Sequence, residues 1–284
     1  MTQRLRVDSQ IHIWEADRPD RPWPNAGWDG KTRHVHRDAP LGPQEVLARM
    51  DEAGVARAIL VPPSWEGDYN DVVLAAAQAW PDRFAVMGRW TPGTPVDALR
   101  RWRDAPGMQG IRLILLPGTE LAAADHPFWW MAAEVDMPLM LHPVGQNALV
   151  AAIADRFPGL RLTLDHMGTG LVGEGLDEFA RGADVLALAS RPNVAVKLSA
   201  VPCHSRLAQR PWTDITPRLH RLVDAFGPER CFWGSDLSRL PCPYRDLVDY
   251  FEQDLDWLSQ GDLDLVMGRA LLAWLRWPAT VAAG

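Results

Sequence analysis

The chain is poor in cysteine. Cys203, Cys231 and Cys242 are its three cysteines, an odd number without C-x-x-C spacing, which excludes a disulfide framework and a cysteine-built structural zinc site. Long apolar runs are missing as well: no stretch is long enough to span a bilayer, and the arginines within residues 1–7 are not followed by an apolar segment. Neither a membrane span nor a secretory signal is expected, and the expected location is cytoplasmic. Positive charge is also short, with 29 basic against 36 acidic residues and a net charge of -7 over 284 residues. That balance argues against nucleic acid or an anionic membrane as the main partner and for a small molecule. The oligomeric state is left open. What the chain has in excess is tryptophan, fourteen in all, with Trp14, Trp23, Trp28 and Trp65 in or beside predicted loops, which suggests an aromatic-lined pocket.

Residues 7–14 read as a first strand, with Ile11 and Ile13 on one parity and Asp8, Gln10 and His12 on the other. A long loop rich in proline and tryptophan follows, through Pro40. From there short apolar runs alternate with helical ones: strands at 56–61, 84–90, 110–115, 137–141, 160–164, 194–198 and 231–235. The helices between and after them fall at 43–53, 69–80, 95–103, 127–135, 147–157, 176–190, 214–226, 245–258 and 262–277. Pro43 opens the first helix and Gly54 stops it. Eight strands each followed by a helix, with no break in composition, predict a single α/β domain over 1–284, a (β/α)₈ TIM barrel with a long loop after strand one and an extra C-terminal helix. The alternative is an open doubly wound sheet. The first strand-to-helix turn lacks G-x-G-x-x-G, so a nucleotide or other organic cofactor is not expected.

Barrel enzymes carry their reactive groups at the C-terminal ends of the strands. Those ends hold Gln10 and His12, Arg112, His142, His166, Lys197 and Asp236. Asp236 ends the apolar run Phe232-Trp233-Gly234-Ser235, where a carboxylate costs free energy unless it is paired, hydrated or bound to a metal. The ordered set Asp8-Ser9-Gln10-Ile11-His12, Gly110-Ile111-Arg112, Leu141-His142-Pro143, Asp165-His166-Met167-Gly168 and Trp233-Gly234-Ser235-Asp236 resembles the amidohydrolase superfamily, specifically the amidohydrolase-2 branch of lactonases, hydratases and decarboxylases. The resemblance covers nearly the whole chain.

It implies a hydrolase that adds water to a small lactone or a related ester or amide, with Asp236 activating the water. The alternatives are decarboxylation or hydration on the same barrel, or a non-catalytic binding protein derived from the family. The family pattern at strand one is His-x-His, two imidazoles on one side of a strand that hold one divalent ion. Here Gln10 replaces the first, and two chemistries stay open. In one, His12, His142 and Asp236 hold a zinc or manganese ion whose bound water attacks. In the other no metal is needed, Asp236 is the general base, and His166 and Arg112 polarise the carbonyl and bind a substrate carboxylate. Lys197, Trp14, Arg239 and Tyr244 are expected at the substrate. Asp8 is expected to hold backbone, His34, His36 and His204 to be solvated loop residues, and Cys231 to be inert core.

Overall fold

The strands form because short runs of branched and aromatic residues, cut by Gly, Pro and Asp, bury both faces. They are β1 (Val7–Ile11), β2 (Arg57–Leu60), β3 (Phe84–Arg89), β4 (Met108–Ile114), β5 (Leu139–His142), β6 (Leu162–Leu164), β7 (Val194–Ser199) and β8 (Cys231–Gly234). All six residues of β7 are buried, as a parallel sheet covered on both sides requires. In the computed structural model, which describes residues 4–23, 36–37, 39–90, 93–143, 145–168 and 183–278, these strands pair in sequence order, each pair parallel. The circle closes at the mouth, where the Asp236 N–H donates to the Gln10 carbonyl at 2.9 Å and the Ser235 N–H donates to both carboxylate oxygens of Asp8 at 3.0 Å. This is the expected (β/α)₈ barrel, and the closure rules out the open doubly wound sheet.

Alternation along each strand sorts the interior into layers. Ile59, Ala85, Met140, Ala195 and Phe232 join Leu271 and Leu275 of the last helix, Ala270–Leu275, in an apolar floor. Each such side chain stabilises the fold by roughly 1.5–3 kcal/mol when buried. Two residues further along the same parity the side chains become polar: His142 above Met140, Lys197 above Ala195. Gly110 is required in β4 because a Cβ there would come within 2.2 Å of the Pro138 carbonyl and 2.7 Å of the Met87 side chain.

Several boundaries differ from the sequence expectation. Strand one stops at Ile11 rather than Trp14, because its register with β2 shifts between Asp8 and Ile11 and the His12 ring takes the Val61 carbonyl, 2.6 Å from Nδ1, in place of a backbone partner. The helices expected at 245–258 and 262–277 are interrupted by π-helical turns, Tyr250–Asp254 and Leu265–Arg269. Of the helix expected at 176–190, residues 176–182 lie outside the described residues; Ala183–Ala187 is helical and runs into a 3₁₀ turn, Leu188–Ser190. Among the described residues no helix is long and apolar enough to cross a membrane.

Candidate active site

Three consecutive strands end in left-handed backbone on non-glycine residues: His166 and Met167 after β6, Ala200 after β7 and Asp236 after β8, with φ of 47°, 60°, 57° and 54°. Such residues each cost of order 1 kcal/mol or more and persist only where their surroundings hold them. Here the surroundings are hydrogen bonds. Asp236 is pinned through its N–H to Gln10, and His166 Nδ1 lies 2.9 Å from Ser199 Oγ. Asp8, fully buried, accepts from the N–H groups of Gln10 and Ser235 and from the Tyr244 hydroxyl. It fixes the β1–β8 junction, as its expected backbone role implies, and burial raises its pKa to about 6 against those bonds.

The Asp236 carboxylate is fully buried. His12 Nε2 lies 3.2 Å from Oδ1, with Arg239 Nε at 3.3 Å and His166 Nε2 at 3.9 Å from Oδ2. Burial pushes this carboxyl upward, but His12, Arg239 and His166 together hold it well below the usual carboxylate range. It is ionised at any working pH. Burial keeps His166 and His142 neutral: it lowers His166 strongly and His142 to about 4.

Beneath this carboxylate lies a second buried cluster. Lys197, with no exposed surface, places Nζ 2.8 Å from Asp165 Oδ1 and 2.7 Å from Gln10 Oε1, while Arg112 Nε reaches Asp165 Oδ2 at 3.0 Å. One carboxylate thus sits between two cations. An ammonium only donates, so Gln10 must turn its oxygen to Lys197 and its N–H₂ toward His12 Nε2, 3.2 Å away. The Val61 carbonyl only accepts, so His12 carries a hydrogen on Nδ1.

That arrangement tests the metal set. Among the described residues no three His, Cys, Asp or Glu side chains gather around a common point. The position of the missing first imidazole is filled by an amide whose oxygen is already bound to an ammonium. A divalent ion beside Gln10 would meet the Lys197 charge and an N–H₂ donor, so His12, His142 and Asp236 do not form a fitting metal site.

Other expectations are corrected. Arg112 and Lys197, both expected at the substrate, are brought together on Asp165. Tyr244 is buried, stacks on Trp233 and spends its hydroxyl on Asp8. Trp14 is buried edge-on to Trp65, 5.1 Å between ring centres. His36 is not solvated: it lies 4.4 Å from the Trp65 ring and 5.4 Å from the His12 ring, with Nδ1 2.6 Å from Ser238 Oγ. His204 is buried too, and its imidazole, lowered to about 4 by burial, feels the charge of Asp236. Trp28 and His34 lie outside the described residues. Sequence reading assigned no role to Asp165, Ser199 or Arg89. One signal was available: Lys197 is one of two lysines among 29 basic residues, so a lysine inside a strand is a pointed choice in a chain that otherwise uses arginine.

Residues 7–273 match the sequence profile of a family described as amidohydrolase. An L-fucono-1,5-lactonase from Burkholderia ambifaria is 28% identical over 265 residues, 85% of this chain and 84% of the relative. A 4-sulfomuconolactone hydrolase from Rhizobium radiobacter is 26% identical over 240 residues, 81% of this chain and 74% of the relative. Among solved structures, an amidohydrolase from Burkholderia multivorans with bound zinc superposes with a TM-score of 0.77 at 25% identity, covering 96% of this chain and all of that one (100%).

Proposed function

The chain belongs to the amidohydrolase family, and from that premise we propose that it hydrolyses small lactones without a metal ion, with Asp236 as the general base. The observation that carries this is the buried, ionised Asp236 carboxylate, held at the barrel mouth by His12, His166 and Arg239 in a chain similar to two lactone hydrolases. A water seated against Asp236 gives up its proton to the carboxylate as its oxygen attacks the lactone carbonyl. The ring C–O bond then breaks, and the same proton passes to the leaving alkoxide, giving a hydroxy acid. His166, neutral and steadied by Ser199, faces the carbonyl. Arg239 keeps the base in place, and Arg112 binds the substrate at a distance from the reacting carbon. Zinc and manganese are bound by amidohydrolase-fold neighbours; here the Lys197 ammonium supplies the fixed positive charge below the carboxylate.

A panel of γ- and δ-lactones, sugar-derived and carboxylated, assayed by proton release tests this reading. At least one is expected to turn over with kcat/KM above about 10⁴ M⁻¹s⁻¹, giving a product of the mass of lactone plus water. A panel hydrolysed no faster than in buffer would remove the lactonase assignment.

A further inference from the structure

The pairing of β3 with β4 sets Arg89 directly beside Arg112. Like charges at facing positions on neighbouring strands are destabilising, and each arginine is only partly compensated. Arg112 is hydrogen-bonded through Nε to Asp165, its one protein partner among the described residues. Arg89 Nε is buried without a hydrogen-bond partner among those residues; the nearest carboxylate oxygen, on Asp68, is 3.6 Å away. Burial, with Arg112 adding to it, lowers the Arg89 guanidinium to about 10. The backbone that presents Arg89 is rigid, because Asn70 accepts from its N–H at 2.7 Å and donates to its carbonyl at 3.0 Å.

Both arginines line one cavity of about 360 Å³ at the ends of β3 and β4, walled by Trp90, Leu113, Ile114 and Leu121. Asp68 and Glu120 also line it and are the more exposed groups, their side chains 35% and 57% accessible. The cavity therefore has two cations inside, apolar walls, and an acidic rim. We propose that it is a carboxylate subsite clamped by Arg89 and Arg112, and that the lactone opened at Asp236 carries one carboxylate. Paired guanidinium groups match a carboxylate in charge and in planar geometry. The apolar walls fit the carbon frame that bears it, and the volume is that of a small-ligand site. The rim carboxylates repel a second anion, so a monocarboxylate is preferred over a dicarboxylate. This rests on the lactonase reading for the reaction, but the subsite itself does not.

The experiment separates the two. Calorimetric titration with tetrahydrofuran-2-carboxylate, which has no lactone bond, reads the subsite alone, with tetrahydrofuran-2-carboxamide as the neutral control. The acid is expected to bind wild type at least about tenfold more tightly than the amide, and Arg89→Gln to weaken the acid by about tenfold or more, as for a lost charge-assisted pair. Arg89→Lys, which keeps the charge, retains part of the preference, and thermal melts confirm that both variants fold. In parallel, the kcat/KM ratio of 5-oxotetrahydrofuran-2-carboxylate over its carboxamide is expected to exceed about ten in wild type and to collapse toward one in Arg89→Gln. Equal binding of acid and amide, no binding of the acid, or an Arg89→Gln variant with the wild-type preference would overturn the subsite. Binding with the expected preference but no turnover of either lactone would support the subsite and count against the lactonase reading instead.

Discussion

Replacing Asp236 by asparagine is expected to lower kcat on a turned-over lactone by about 10³–10⁴-fold, at the upper end of what a positioned general base contributes, with a much smaller change in KM. The substitution is nearly isosteric. The amide oxygen still accepts from Arg239 and leaves His12 and His166 in place, but the amide nitrogen takes no proton from water. A loss in kcat and kcat/KM together marks an interaction made in the transition state, whereas a role in substrate binding would raise KM. The pH dependence has a definite sign. Because the folded chain holds the Asp236 carboxyl well below its ordinary value, its charge stabilises the fold above the unfolded carboxylate pKa, about 3.9, and that contribution disappears as the pH falls through the folded value. Activity should therefore not decline through protonation of Asp236 anywhere above about pH 5, and asparagine removes this part of the acid sensitivity. Steady-state kinetics with thermal melts across pH check both statements.

Replacing Asp165 by asparagine is expected to destabilise the fold by about 3–5 kcal/mol, the range found when one partner of a buried ion pair is removed. The reason is the count of charges in the barrel: among the described residues Asp165 is the one carboxylate bonded to both Lys197 and Arg112, and without its charge two cations face each other in the protein interior. Lys197→Met should cost less, about 1–3 kcal/mol, because Arg112 still neutralises Asp165 and only the hydrogen bonds to Asp165 and Gln10 are lost. The double variant should then cost less than the sum of the two, since losing Lys197 relieves the repulsion that Asp165→Asn creates. Denaturant unfolding of the three variants reads the order directly. If Lys197→Met proved the more damaging single change, Lys197 would be holding more than this charge balance requires.

The eight strands and the groups at their ends were legible because parallel strands buried on both faces leave dense apolar runs, and a polar residue at the close of such a run stands out. Asp236, His142 and His166 could be named that way, and Asp8 could be read as a backbone holder from its place at the start of β1. What the groups touch was not legible. Lys197 and Gln10 are 187 residues apart, and strand parity places both inside the barrel without saying that the ammonium takes the amide oxygen. That one contact bears most on the metal question, because it turns the N–H₂ of Gln10 toward His12. Loop position suggests exposure for His36 and His204, yet His36 packs against the His12 and Trp65 rings and the short helix Val201–His204 buries His204. Tyr244 was misplaced for a related reason: the turn after β8 brings its ring onto Trp233 and its hydroxyl under the strand end. The Arg89–Arg112 pair depends on the register of β3 against β4, which neither strand's own sequence contains.

The most direct test of the central claim is lactone hydrolysis by protein stripped of metal with a chelator, its residual zinc and manganese quantified against protein concentration. A base made from Asp236 and held by His12, His166 and Arg239, over a barrel whose fixed cation is Lys197, predicts the same kcat before and after stripping, with metal far below one equivalent. Loss of turnover on stripping, restored by one equivalent of zinc or manganese, would contradict it.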